Sequence, residues 1–203
     1  MAIPTTSLRY SSIYDKMLHR IAGEEPDEPY FIERKAFARK GIEHIRKNVL
    51  PQVLQLVERM EACTEMPWAR KHISVYVLPS WPKKMRTTGF SDPLTIVLTT
   101  GEPTSPMPLS DNDLINLLAH EICHIFQEPL SKTTYFENLI AQGFTNAYMR
   151  NHVLTFAILK EVLDPEQYLK SIEKITKGPY KEAVDFVETK GAKNIIVEAK
   201  SHL

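Results

Sequence analysis

His120 and His124 stand four residues apart in the run His120-Glu121-Ile122-Cys123-His124. On an α-helix, residues four apart lie one turn above each other on a single face, so two imidazoles at this spacing can aim at one point. Neutral imidazole is a good ligand for Zn²⁺, at Zn–N distances of about 2.0–2.1 Å. Glu121 follows His120 by about 100° around the helix, which places its carboxylate beside such an ion rather than on it. There it can take a proton from a zinc-bound water, whose pKa the metal lowers toward roughly 7. The spacing encodes two metal ligands and a general base.

This chemistry needs a helix, and the flanking residues supply one. Ser110 opens it, with Asp111 and Asp113 in the first turn, where caps and the helix dipole favour them. Glu128-Pro129 should end it. Leu114, Ile115, Leu118, Ile122 and Ile125 make an apolar side, so this is a core helix with a polar stripe. That context matters, because a chain with seven histidines can carry the motif by accident in a helical protein without a metal. Cys123 and Cys63 read as packing residues.

Strands are predicted upstream of this helix. His72–Leu78 alternates and is β-branched, and residues 94–100 form a second such run, closed by Gly101 and a proline-rich loop to Pro108. The second run directly precedes the helix, as an edge strand lining a site would. Trp81-Pro82, Gly89 and Asp92-Pro93 predict an irregular connection between the two.

Over residues 30–66, Ile32, Ala36, Ile42, Ile45, Val49, Val53, Leu56, Val57 and Met60 recur at helical steps. Pro51 should kink that helix or split it. Residues 1–28 are polar and loosely patterned and read as a loosely ordered segment ending in an exposed linker.

Downstream, Thr134-Tyr-Phe-Glu137 has the capping-box form and predicts a helix over roughly 134–163. Asp164-Pro165 opens another, with Gly178 as its terminator, and residues 179–190, closed by Gly191, form one more. Residues 194–198 predict a short strand or an extended tail. The expected class is α+β and helix-dominated, with a small mixed sheet next to the His-Glu-x-x-His helix. One domain is expected over 1–203, with its core at 72–152.

Strands followed by a helix bearing His-Glu-x-x-His resemble the zincin metallopeptidases, and the resemblance covers roughly residues 72–152. In the gluzincin branch, minigluzincin-like cores included, a second helix supplies a glutamate as third ligand, often as Glu-Gly-x-Ala. An aspartate four residues later supports a ligating histidine. The matching place here is Ala141-Gln142-Gly143-Phe144-Thr145-Asn146, with Gln142 at an offset of 142 − 124 = 18 from His124. Both acids are present as amides: Gln142 stands at the third-ligand position and Asn146 at that of the supporting aspartate. Asn138, Gln142 and Asn146 form a stripe at four-residue steps, although an amide oxygen is a weaker zinc ligand than a carboxylate.

Glu137 is the rival third ligand, and a water is another. Glu137 and Gln142 are about 140° apart on one helix and cannot both face one ion. The capping box with Thr134 explains Glu137 without any metal. The histidine extension of metzincins is absent, since position 130 is Leu130. Tyr148 and His152 are candidates for stabilising the transition state, against the plainer reading of a partly buried aromatic and a solvent-facing histidine.

The resemblance implies a zinc metallopeptidase acting on a peptide or protein substrate, with the strand at 94–100 binding it in extended form. The amides at 142 and 146 motivate an alternative, a catalytically attenuated zincin-like binding or regulatory protein.

Composition limits the other classes. Basic and acidic residues number 25 each, so the formal net charge is 25 − 25 = 0, without the basic excess of a nucleic-acid or anionic-membrane binder. Lys83-Lys84-Met85-Arg86 reads as solvated surface. Two cysteines make no disulfide framework. The first residues lack a secretory pattern, and no apolar run approaches the roughly 20 residues that span a bilayer. A cytoplasmic protein without a membrane partner is expected, its oligomeric state undetermined by sequence.

Overall fold

The computed structural model describes residues 3–85, 89–100 and 107–203, so Arg86 of the basic run and most of the proline-rich loop after residue 100 lie outside the described residues. The class is α+β, helix-rich with a small mixed sheet. The chain divides into two compact units, Pro4–Val53 with His72–Glu121, and residue 3 with Leu54–Lys71 and Ile122–Leu203. Both helix-borne crossing points, at 53/54 and 121/122, fall inside regular helices, so no linker composition marks them.

The first unit is built on a four-stranded sheet. β1 (Thr5–Arg9) runs parallel to β2 (His72–Leu78), β2 runs parallel to β4 (Leu94–Val97), and β3 (Gly89–Ser91) pairs antiparallel with β4. All four residues of β4 are buried, as befits an interior strand covered on both faces. The strand expected at 94–100 is therefore not an edge strand; β3 is the edge. It is also interrupted at Leu98, whose N–H turns to the carbonyls of Leu78 and Pro79. Thr99–Thr100 continues as β5 and pairs with β6 (Met107–Pro108).

Within residues 3–28 the chain is not loosely ordered. It forms β1 and then α1 (Ser12–Ile21), capped by the Ser11 hydroxyl, which accepts from the Tyr14 N–H. Asp15 and His19 on α1 are both buried. Two polar residues on the inward face erase the apolar period that would have announced the helix.

α2 (Glu28–His44), a π-helical turn at Ile45–Val49 and α3 (Leu50–Thr64) form one uninterrupted run. Pro51 neither splits nor ends it. Proline lacks an N–H and crowds the carbonyl four residues back. The widened turn just before it, in which the Leu50 N–H reaches the Ile45 carbonyl five residues back, absorbs that conflict. α4 (Asp111–Phe126) begins with a reciprocal cap: the Ser110 hydroxyl accepts from the Asp113 N–H, while Asp113 Oδ2 accepts from the Ser110 N–H and hydroxyl.

The second unit is helical. α6 (Ala147–Val162) is its centre, buried from His152 through Leu159, with α8 (Pro179–Lys190) and α9 (Ala192–Lys200) packed on it. The helix expected at 134–163 is broken in two. α5 (Tyr135–Ala141) stops at Gly143, which takes φ +97°, and Asn146 caps α6. A left-handed glycine is the usual device for ending a helix.

The expected capping box does not form. Thr134 Oγ1 bonds His202 Nδ1 at 3.0 Å, and the Thr133 hydroxyl accepts from the Tyr135 N–H instead. Asp164 caps α7 (Pro165–Ile172) through the Gln167 N–H. Residues 194–198 are helical within α9, which buries Ala192, Ile195, Ile196 and Ala199 at helical spacing. Among the described residues, no helix is long and apolar enough to cross a membrane.

Candidate metal centre

One ligand nitrogen from each of His120, His124 and His152 lies within 4.8 Å of the other two. His120 and His124 owe their proximity to one turn of α4. His152 arrives from α6, whose first turn is set by Asn146: its Oδ1 accepts from the Tyr148 N–H at 2.9 Å and the Met149 N–H at 3.4 Å. The rings of His124 and His152 meet edge to face, with centroids 4.6 Å apart.

Three nitrogens around a tetrahedral zinc stand roughly 3.4 Å from one another, given Zn–N of about 2.0–2.1 Å. Three histidines with an open fourth position is one of the ligand sets of catalytic zinc.

The protonation state suits ligation. Burial, and then the neighbouring His152, push the His124 ring down to about 3. Burial pushes His152 down to about 4, against a hydrogen bond to the Tyr148 carbonyl. Both rings are neutral at neutral pH, the form that binds a metal. The His152 Nδ1–H donates to the Tyr148 carbonyl at 2.6 Å, which puts the lone pair of the neutral ring on Nε2.

Glu121, next to His120 on α4, is buried, and burial lifts its carboxyl to about 7. Its side chain lies against the backbone of Gly89 in β3. Edge strand and carboxylate are thus neighbours.

The amides expected at the centre are engaged elsewhere. Gln142 is exposed at the end of α5, where its amide nitrogen donates to Glu198 Oε1 at 2.9 Å and its oxygen accepts from Lys190 Nζ at 3.5 Å. Asn138 donates to the same Glu198 oxygen at 3.1 Å. Asn146 is committed to its cap. The stripe therefore fastens α5 to α9, because the break at Gly143 takes Asn146 off the helix that carries Gln142. Glu137 is exposed in the first turn of α5 and does not join the histidines.

Tyr148 is 65% exposed, and its ring lies near that of Tyr180. His152, a candidate transition-state stabiliser on sequence grounds, lies in the cluster with His120 and His124. One signal for it was available: a single ionisable residue heads the unbroken apolar run Val153 to Leu159, apart from Thr155, and a histidine in such a setting calls for a partner.

No protein-family model matches the chain, and neither does any curated protein or any solved structure.

Proposed function

We propose that the chain is a zinc-dependent hydrolase that cleaves peptide bonds. One observation carries the reading: three imidazoles converge where a buried carboxyl adjoins the first of them in the chain. His120, His124 and His152 would hold the ion and leave its fourth position to water or substrate. When bound, zinc acidifies a coordinated water and polarises a carbonyl.

The chain's own residues supply the proton transfers. Burial sets the Glu121 carboxyl at about 7, so near neutral pH it can take a proton from the nucleophile and return it to the leaving amine. Gly89 leaves space for that carboxyl by having no side chain.

A peptide substrate is favoured by the edge strand. Among the described residues β3 is the last strand of its sheet, beside β4, and an edge strand is where an extended chain can add through backbone hydrogen bonds. The resemblance to zincins points to the same substrate class. The attenuated alternative loses its motive, since the amides at 142 and 146 have other partners.

The test is metal content and turnover together, on protein purified without added metal. Bound zinc at about one per chain is expected, with hydrolysis of a broad peptide library that Glu121→Gln abolishes while zinc is retained. Absence of bound zinc and of turnover would overturn the proposal. Zinc without turnover would leave a metal-binding protein that is not a peptidase.

A further inference from the structure

We infer that Thr155, held in place by Gln127, is the positioning residue that fixes the tautomer and aim of His124. The inference rests on the reading of the three histidines as a metal centre, and it names residues for which the motif makes no provision.

Thr155 is fully buried on α6, and Gln127, just past the end of α4, is 4% exposed. The Thr155 hydroxyl has three neighbours: the Asn151 carbonyl at 3.2 Å, Gln127 Nε2 at 2.6 Å and His124 Nδ1 at 3.4 Å. A hydroxyl has one proton to give and two lone pairs to receive with. The Asn151 carbonyl can only accept, so it takes the proton. Gln127 Nε2 donates into one lone pair. The orientation of that amide is fixed independently, because the same nitrogen lies 3.2 Å from the Cys123 carbonyl, where an amide oxygen would be repelled. One lone pair remains, and it faces His124 Nδ1. That nitrogen must carry the hydrogen and donate it, which puts the lone pair of the neutral ring on His124 Nε2, the form in which an imidazole can bind a cation.

The Tyr148 carbonyl imposes the same tautomer on His152. α6 thus has two tasks within a single turn (155 − 152 = 3): it brings the third ligand and it orients the second. Both supports are neutral oxygens rather than carboxylates, so neither offsets the charge of a bound cation. Outer partners of this kind orient ligating histidines, and their loss typically costs about 10–100-fold in metal affinity.

Two variants and two measurements test this. Thr155→Val keeps the side-chain shape and removes the hydroxyl, whereas Thr155→Ser keeps the hydroxyl. Zinc affinity is measured by chelator competition, and the His124 tautomer by ¹⁵N NMR of the imidazoles in the metal-free protein. The expected results are an Nδ1–H tautomer in the parent, zinc binding about 10–100-fold weaker in Thr155→Val with a mixed tautomer, and near-parental values in Thr155→Ser.

An Nε2–H tautomer for His124 in the parent would overturn the inference, and that measurement stands even if Thr155→Val fails to fold. Parental affinity and tautomer in a folded Thr155→Val would also overturn it. A parent that binds no zinc yet shows the Nδ1–H tautomer would remove the metal centre and leave the hydrogen-bond assignment intact, so the two failures can be told apart.

Discussion

A Cβ built on Gly89 would stand 2.6 Å from Glu121 Oε1 and 2.9 Å from its Cγ and Cδ. β3 therefore meets the carboxyl as bare backbone, and any side chain at 89 must displace it. Gly89→Ala is expected to lower kcat/KM by roughly 100-fold, the scale that a misplacement of about 1 Å costs a catalytic group. Bound zinc is expected to stay at the parental level, because the group displaced is the proposed base and not one of the three proposed ligands. Kinetics and metal content on the same preparation check this. Parental turnover would show that β3 does not position Glu121.

Replacing His152 and Gln142 in turn tests which residue completes the proposed ligand set. His152→Ala should weaken zinc binding by more than the roughly 10–100-fold typical of a lost outer partner, and Gln142→Ala should leave it unchanged. Zinc at a hundred times its dissociation constant stabilises a protein by about 2.7 kcal/mol, which raises Tm by roughly 5–10 °C in a chain of this size. Thermal unfolding with and without zinc should show that rise in the parent and in Gln142→Ala, and its loss in His152→Ala. The reverse pattern would return the third position to Gln142.

What the sequence made legible follows from how far apart the deciding residues are. The His120/His124 pair could be read directly because its geometry is that of one helical turn, and Ser110 could be read as a cap because its partner Asp113 is three residues away. His152 lies 152 − 124 = 28 residues past His124, beyond a glycine that redirects the chain, so only tertiary packing brings it in. Thr134 looked like half of a local capping box, but its hydroxyl bonds His202, 68 residues away. Ile195-Ile196-Val197 has strand-like composition, yet the faces that matter are Ala192, Ile195, Ile196 and Ala199, which pack as a helix. In each miss a long-range contact overrode a local preference.

Asp15 and Arg34 form a buried pair on which the first unit depends. Arg34 Nε and Nη2 reach the two Asp15 oxygens at 2.7 and 2.8 Å, Ser80 accepts from the same guanidinium, and the Tyr10 hydroxyl donates to Asp15 at 2.8 Å. Asp15 is 0% exposed, so Arg34→Met would leave a carboxylate without its cation and out of reach of water. Breaking such a pair costs about 3–5 kcal/mol. Urea unfolding should show a loss of that size, partly recovered in Asp15→Asn/Arg34→Met, where no charge is left unpaired. A loss below about 1 kcal/mol would place the pair with surface salt bridges, whose worth is that small.

His19 gives the first unit a pH dependence whose sign follows from its surroundings. The ring is 1% exposed, with the edges of Tyr30 and Phe31 at centroid distances of 5.5 Å. Its Nδ1 lies 2.9 Å from Glu24 Oε2 and its Nε2 3.7 Å from Asp15 Oδ1, while the Arg34 cation is nearby. Burial dominates and lowers the pKa; the Glu24 hydrogen bond opposes it, Arg34 adds to it, and the charges of Asp15 and Glu24 oppose it. With its folded pKa below the unfolded value of about 6.5, this histidine takes up a proton more readily in the unfolded chain. Above pH 6.5 neither state is protonated, and the group contributes nothing to the pH dependence. As the pH falls below 6.5 the unfolded state gains a proton that the folded state refuses, so stability declines by at most about 1.4 kcal/mol per pH unit until the folded pKa is reached. His124 and His152 act with the same sign in the metal-free protein, so the measurement is the difference between parent and His19→Gln, which cannot titrate. Urea unfolding between pH 6.5 and 5 should show a shallower decline in the variant. Equal slopes would mean that His19 takes up its proton as readily in the folded protein as in the unfolded chain, with Glu24 and Asp15 offsetting its burial.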